Sequence, residues 1–108
     1  METFKINEYD MEFEVYLLQH RYIDGDRLAV VVYEKSGETF AVLTTNIDAP
    51  ISDTKDCAYV DTNNNPWGLK FIIDNNLAVP TGKLGHSGYC TYPEFKFDLN
   101  RLGTSNDE

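Results

Sequence analysis

Cys90 and His86 are the residues of this 108-residue chain that come closest to covalent chemistry, a thiol nucleophile near an imidazole base. One of Asn63, Asn64 and Asn65 could serve to orient that base. A reactive thiolate needs an electropositive setting, and here the nearest charges in sequence, Lys83 and Glu94, cancel. No family signature surrounds the cysteine, so both residues read first as packing groups. A metal site drawn from Cys57, Cys90, His20 and His86 lacks the closely spaced ligand pairs of structural zinc. Asp61, Asn63 and Asn65 have the spacing of a calcium loop. Pro66 stands where that loop needs Gly, however, and Ile72 where it needs Glu. Gly82, Gly85 and Gly88 lack the Lys-Ser/Thr of a phosphate loop and lie between a helix and a strand, the reverse of a dinucleotide-binding order. They read as loop glycines that reach positive φ or admit another segment. No catalytic residue, metal or cofactor is expected.

Recognition is the better reading of the same residues. Asn63, Asn64 and Trp67 in one motif, with His86, Tyr89 and Tyr92 in the next, concentrate the polar and aromatic groups of a binding edge. Charge supplies a second candidate. Eighteen acids against nine bases give a formal charge of -9. Residues 1–60 hold 12 acids and 5 bases (-7), and the remainder 6 acids and 4 bases (-2). Glu8, Asp10, Glu12 and Glu14 are the densest acidic series, and Glu12 and Glu14 fall on one strand face. Such a chain is repelled by nucleic acid, whose binding requires neutralised phosphates, and is attracted to basic protein surfaces.

The elements that must position these residues follow from periodicity. Met11, Phe13, Val15 and Leu17 alternate with polar residues, as a half-buried strand does. Residues 27–33 form a β-branched run, and residues 39–45 pair back across Ser36-Gly37. Phe4-Lys5-Ile6 adds a short first strand, Ala58-Tyr59-Val60 another, and residues 94–99 a last one with Phe95, Phe97 and Leu99 inward. Asn65 is a good N-cap with Pro66 at the first helical position, which predicts a helix over 66–76. Its Leu69, Ile72, Ile73 and Leu77 share a face, with Trp67 and Phe71 flanking. The predicted fold is α+β: a single antiparallel sheet of about four to six strands with that one main helix on one face. One domain is expected over residues 1–102, with a polar tail over 103–108.

No apolar run approaches the roughly 20 residues of a membrane span, and the first residues lack the pattern of a signal peptide. The expectation is a soluble cytoplasmic protein with Cys57 and Cys90 reduced.

Asp-Thr-Asn-Asn-x-Pro-Trp (61–67), Pro-Thr-Gly (80–82) and Ser-Gly-Tyr-Cys-Thr-Tyr-Pro-Glu-Phe (87–95) carry a resemblance, as does the opening Phe-Lys-Ile-x-x-Tyr-x-Met-Glu-Phe-Glu-Val. The chain resembles a family of short, uncharacterised bacterial proteins carried on plasmids and conjugative elements. That resemblance implies a small accessory protein and no established enzymatic activity, with anti-CRISPR or other anti-defence members. The expected function is a non-enzymatic inhibitor that occupies the basic nucleic-acid-binding surface of a partner such as a CRISPR nuclease. The alternatives are an adaptor of the mobile element binding through the aromatic C-terminal motif, and a thiol enzyme using Cys90 and His86.

Overall fold

The computed structural model describes residues 2–104. Its strands are β1 (Phe4–Glu8), β2 (Met11–Arg21), β3 (Leu28–Glu34), β4 (Thr39–Val42), β5 (Thr44–Thr45), β6 (Cys57–Val60), β7 (Ala78–Ser87), β8 (Cys90–Phe97) and β9 (Gly103–Thr104). One helix, α1 (Gly68–Asp74), lies between β6 and β7, and a 3-10 turn spans Leu99–Arg101.

The α+β fold predicted from the periodicity, a single sheet under one main helix, is corrected to a mostly β fold of two antiparallel sheets with one short helix, because strands take up most of the described chain and α1 has seven residues. The first sheet is a meander in the order β1-β2-β3-β4, with β9 added parallel to β2 at Leu18 and Gln19. The second has the order β5-β6-β8-β7. They meet at Leu43, between β4 and β5. Its N–H donates to Val30 O at 2.9 Å in the first sheet, and its carbonyl accepts from Asp61 N at 2.9 Å beside the second. The chain thus passes from one sheet to the other at Leu43. The main core fills the angle: Val15, Leu17, Val30 and Val32 from one side meet Ala58, Val60, Phe95 and Phe97 from the other.

The sequence marked parts of β6 and β8 as strands but not as a sheet of their own, because β6 is apolar on both faces and so points to no single core. All four residues of β6 are buried, and Tyr59 faces away from the main core into a smaller one with Ile47 and Tyr92. Residues 46–56 lie over that second core. The glycine-rich segment predicted as a loop is strand β7, with a register shift between Pro80 and Leu84. Gly85 is required there by close approach. A Cβ at this position would lie 2.6 Å from both Ile47 Cδ1 and Tyr59 Cε1. Gly88, at φ +59°, makes the β7–β8 turn.

The helix is shorter than 66–76. Asn65 is diverted from capping, since its Nδ2 donates to Val42 O at 2.7 Å, and no side chain caps α1. Asp61 instead holds a turn by accepting from Asn64 N at 3.1 Å and Asn64 Nδ2 at 2.8 Å. The helix ends in a Schellman motif: Asn76 sits at φ 53°, its N–H bonds Ile73 O, and Leu77 N–H bonds Ile72 O. Phe71 and Ile72 are buried as expected and Leu69 is half-buried, but Ile73 is 58% exposed. Gly103 and Thr104, assigned to a polar tail, are strand residues, and Arg101 pairs with Glu2 at 2.8 Å while lying over the Phe4 ring. The rest of that tail, residues 105–108, lies outside the described residues.

Candidate interaction surface

The acidic series is built around a two-residue turn. β1 and β2 pair from Phe4↔Val15 to Glu8↔Met11, leaving Tyr9 and Asp10 as the loop at φ 58° and 59°. Two positive φ values make a type I′ turn, whose twist matches the strands but which normally carries Asn or Gly. Tyr9 is 73% exposed and Met11 60%, so a strained turn presents an aromatic ring and a thioether to solvent between carboxylates. Glu12 and Glu14 share the outer face, as expected. Each has a lysine: Lys5 Nζ lies 3.5 Å from Glu12, and Lys35 Nζ 3.0 Å from Glu14.

Topology adds carboxylates that the linear series omits. The β3–β4 turn returns to the same end of the sheet, where Lys35 N–H donates to Glu14 O at 3.0 Å and Glu34 N–H to Glu38 O at 2.8 Å. Phe40 after that turn meets Phe13 at 4.8 Å between ring centroids. Glu8, Asp10, Glu12, Glu14, Glu34 and Glu38 therefore gather at one end with Lys5 and Lys35, six negative charges against two positive, or -4. The sequence held the signal for Glu34 and Glu38, since Ser36-Gly37 between them already marked a hairpin turn.

The other expected recognition residues do not form one edge. Trp67 is a core residue, packed edge-on against Phe40 at 5.6 Å and Phe71 at 5.8 Å. Tyr92 is buried in the second core with Tyr59. Asn63 and Asn64 are exposed in the turn held by Asp61. Tyr89 stands fully in solvent at the β7–β8 tip, and exposed His86 bonds Thr91 Oγ1 through Nδ1 at 3.0 Å. The aromatic motif is thus divided between core and surface.

Cys90 and His86 cannot form a nucleophile–base pair in this fold. Cys90 pairs with Ser87 and His86 with Thr91, so strand alternation sends the two side chains to opposite faces. Cys57 lies opposite Lys96, six residues along β8 from Cys90, or roughly 20 Å by strand rise. Both thiols are free. Burial, then the neighbouring Asp56, pushes the Cys57 thiol up to about 11, so it is a neutral packing group. Among the described residues no three His, Cys, Asp or Glu side chains cluster to hold a metal, and no helix is long and apolar enough to cross a membrane.

A groove of about 550 Å³ runs between β1 and α1, floored by Ile6, Trp67 and Phe71 and walled by Lys70 and Asp74. Those two wall residues pair at 2.5 Å, an i,i+4 bridge.

Glu94 is the group that sequence reasoning missed. It is fully buried. Its carboxylate accepts from Ser52 N at 2.8 Å, Ser52 Oγ at 2.5 Å and Thr81 Oγ1 at 2.6 Å, so it clasps residues 46–56 to the bulge of β7. Burial alone would raise its pKa; the bonds from Ser52 and Thr81, with Lys83 nearby, outweigh that and hold it below the ordinary value. Tyr59 Oη donates to Pro50 O and Arg27 Nη1 to Ile47 O (3.1 Å), which fixes the same segment. A Glu in an alternating strand reads as solvent-facing, and nothing local marks this one.

Residues 5–108 match the sequence profile of a family described as a domain of unknown function, DUF4313. The chain belongs to the DUF4313 family. Comparison with curated proteins and with solved structures gives no match. The family match agrees with the resemblance to an uncharacterised family of about 110 residues and covers both recognition motifs.

Proposed function

We propose that the chain is a non-enzymatic binding protein that docks the acidic end of its first sheet on a basic surface of a protein partner. One observation carries the reading: six carboxylates against two lysines flank a strained turn that exposes Tyr9 and Met11. Large adaptable side chains inside a charged rim are the composition of an interface centre. Free nucleic acid is repelled by the same charge, whereas a protein that holds nucleic acid in a cationic channel attracts it. A CRISPR-type nuclease is the target class, and occlusion of its channel is the mechanism.

The test is DNA cleavage by a panel of purified CRISPR-type nucleases, with association rates measured from low to high salt. The expected result is inhibition of at least one nuclease, with association that slows as screening rises. Charge reversal of Glu8, Asp10, Glu34 and Glu38 to Lys should lower the low-salt rate by about tenfold or more, within the range of electrostatic steering. An absence of inhibition across the panel, or rates indifferent to salt and to the reversal, overturns the proposal.

A further inference from the structure

The free edge of β1 is open, whereas the edge of the second sheet is guarded. β7 carries Pro80, Lys83 and a register shift at Gly82 (φ +90°), the usual means of preventing strand addition. β1 has no proline and no bulge, and its one lysine, Lys5, is drawn to Glu12 on the neighbouring strand at 3.5 Å. In a hairpin with a two-residue loop the flanking residues form a hydrogen-bonded pair, and bonded pairs then alternate with unbonded ones. Glu8↔Met11, Ile6↔Phe13 and Phe4↔Val15 are therefore the bonded pairs, and the backbone N–H and C=O of Lys5 and Asn7 point away from β2. Among the described residues no turn, loop or side chain bonds those outward groups. They face the groove whose far wall is α1.

We propose that β1 receives an extended segment of the partner protein as an added strand, with α1 lying alongside it. This rests on the acidic-end reading and names what that end holds. The occupant follows from the groove. Outward backbone donors and acceptors demand an extended chain rather than a helix. Trp67 and Phe71 are core residues whose remaining exposed edges line the floor, so they offer an added strand a small apolar contact. Lys70 is matched by Asp74 and Lys5 by Glu12, which leaves Glu8 as the groove charge with no ion-pair partner among the described residues. The added strand accordingly carries Arg or Lys where it passes Glu8, continuous with the acidic end.

The probe is a blocked heptapeptide of alternating Val and Thr with Arg at both ends, titrated to millimolar concentration against the whole chain and followed by amide hydrogen exchange. Exchange at Lys5 and Asn7 is expected to slow at least tenfold. Replacing the terminal Arg residues by Gln should weaken binding, and N-methylation of alternate peptide amides should abolish it. Asn7→Pro, which removes one outward donor, should weaken binding about tenfold; should that variant fail to fold, the exchange measurement on the natural sequence decides. Unchanged exchange at Lys5 and Asn7 overturns strand addition. An Arg peptide that perturbs only residues 8–11 and 34–38 overturns it too, while leaving the acidic-end reading intact. A Gln peptide that protects Lys5 and Asn7 as well as the Arg peptide supports strand addition and counts against the electrostatic reading.

Discussion

Glu94 shows how one side chain holds a segment that has little secondary structure of its own. Its pKa is depressed in the fold, so a proton binds the native state less tightly than the unfolded one. The stability it contributes is present above the unfolded value of about 4.3 and is lost as pH falls through the lower folded value. Glu94→Gln keeps the shape but not the charge, and should cost about 1–3 kcal/mol at pH 7. Denaturant melts of both proteins from pH 7 to pH 3 test this: the gap should close on acidification, and a constant gap would show that the carboxylate charge is irrelevant. Gly85 sets a second residue-scale constraint. A Cβ would overlap Tyr59 and Ile47, so Gly85→Ala should destabilise by about 1–3 kcal/mol, as overpacking does. Gly85→Ala combined with Ile47→Ala should recover part of that loss if crowding is the cause.

The strands of the first sheet were legible at the scale of elements because each alternates against a solvated face. Phe4-Lys5-Ile6, the run from Met11 and the hairpin across Ser36-Gly37 all lie where periodicity put them. The second sheet was legible only in part: Ala58-Tyr59-Val60 and the strand through Phe95 and Phe97 lie where they were read, but β6 is apolar at every position and β7 is punctuated by glycine and proline for reasons of packing and edge protection, so neither the separate sheet nor β7 showed. The helix was located from its Pro and its apolar face, yet its start was misjudged because Asn65 bonds to Val42 across the fold, a tertiary partner invisible in sequence. The acidic series was legible as a strand face, although the two lysines that half-neutralise it come from β1 and the β3–β4 turn. Phe71→Ala should cost about 3–5 kcal/mol, whereas exposed Ile73→Ala should lie within about 0.5 kcal/mol of the natural sequence by thermal melting. Tyr9→Asn relieves a left-handed aromatic residue and should raise stability by about 1 kcal/mol. The same change should weaken partner association, because it removes the exposed ring.

At the scale of the whole molecule, the shared corner at Leu43 makes the two sheets one cooperative body, for neither can separate without breaking the backbone bonds on either side of it. Chemical unfolding followed by Trp67 fluorescence and by far-UV circular dichroism should give coincident transitions. Separate midpoints would mean that the sheets unfold independently. The ion pair between Glu2 and Arg101 joins positions 99 residues apart in the chain. These two stretches of backbone are neighbours in space, so a short Gly/Ser linker could splice them and the chain could be reopened elsewhere. Gly37, exposed and with open space where a Cβ would stand, offers such an opening, but it lies within the acidic end. Reopening at Gly25 leaves that end whole. A circular permutant beginning there would keep its sheets, its groove and its charge while exchanging which hairpin leaves the ribosome first.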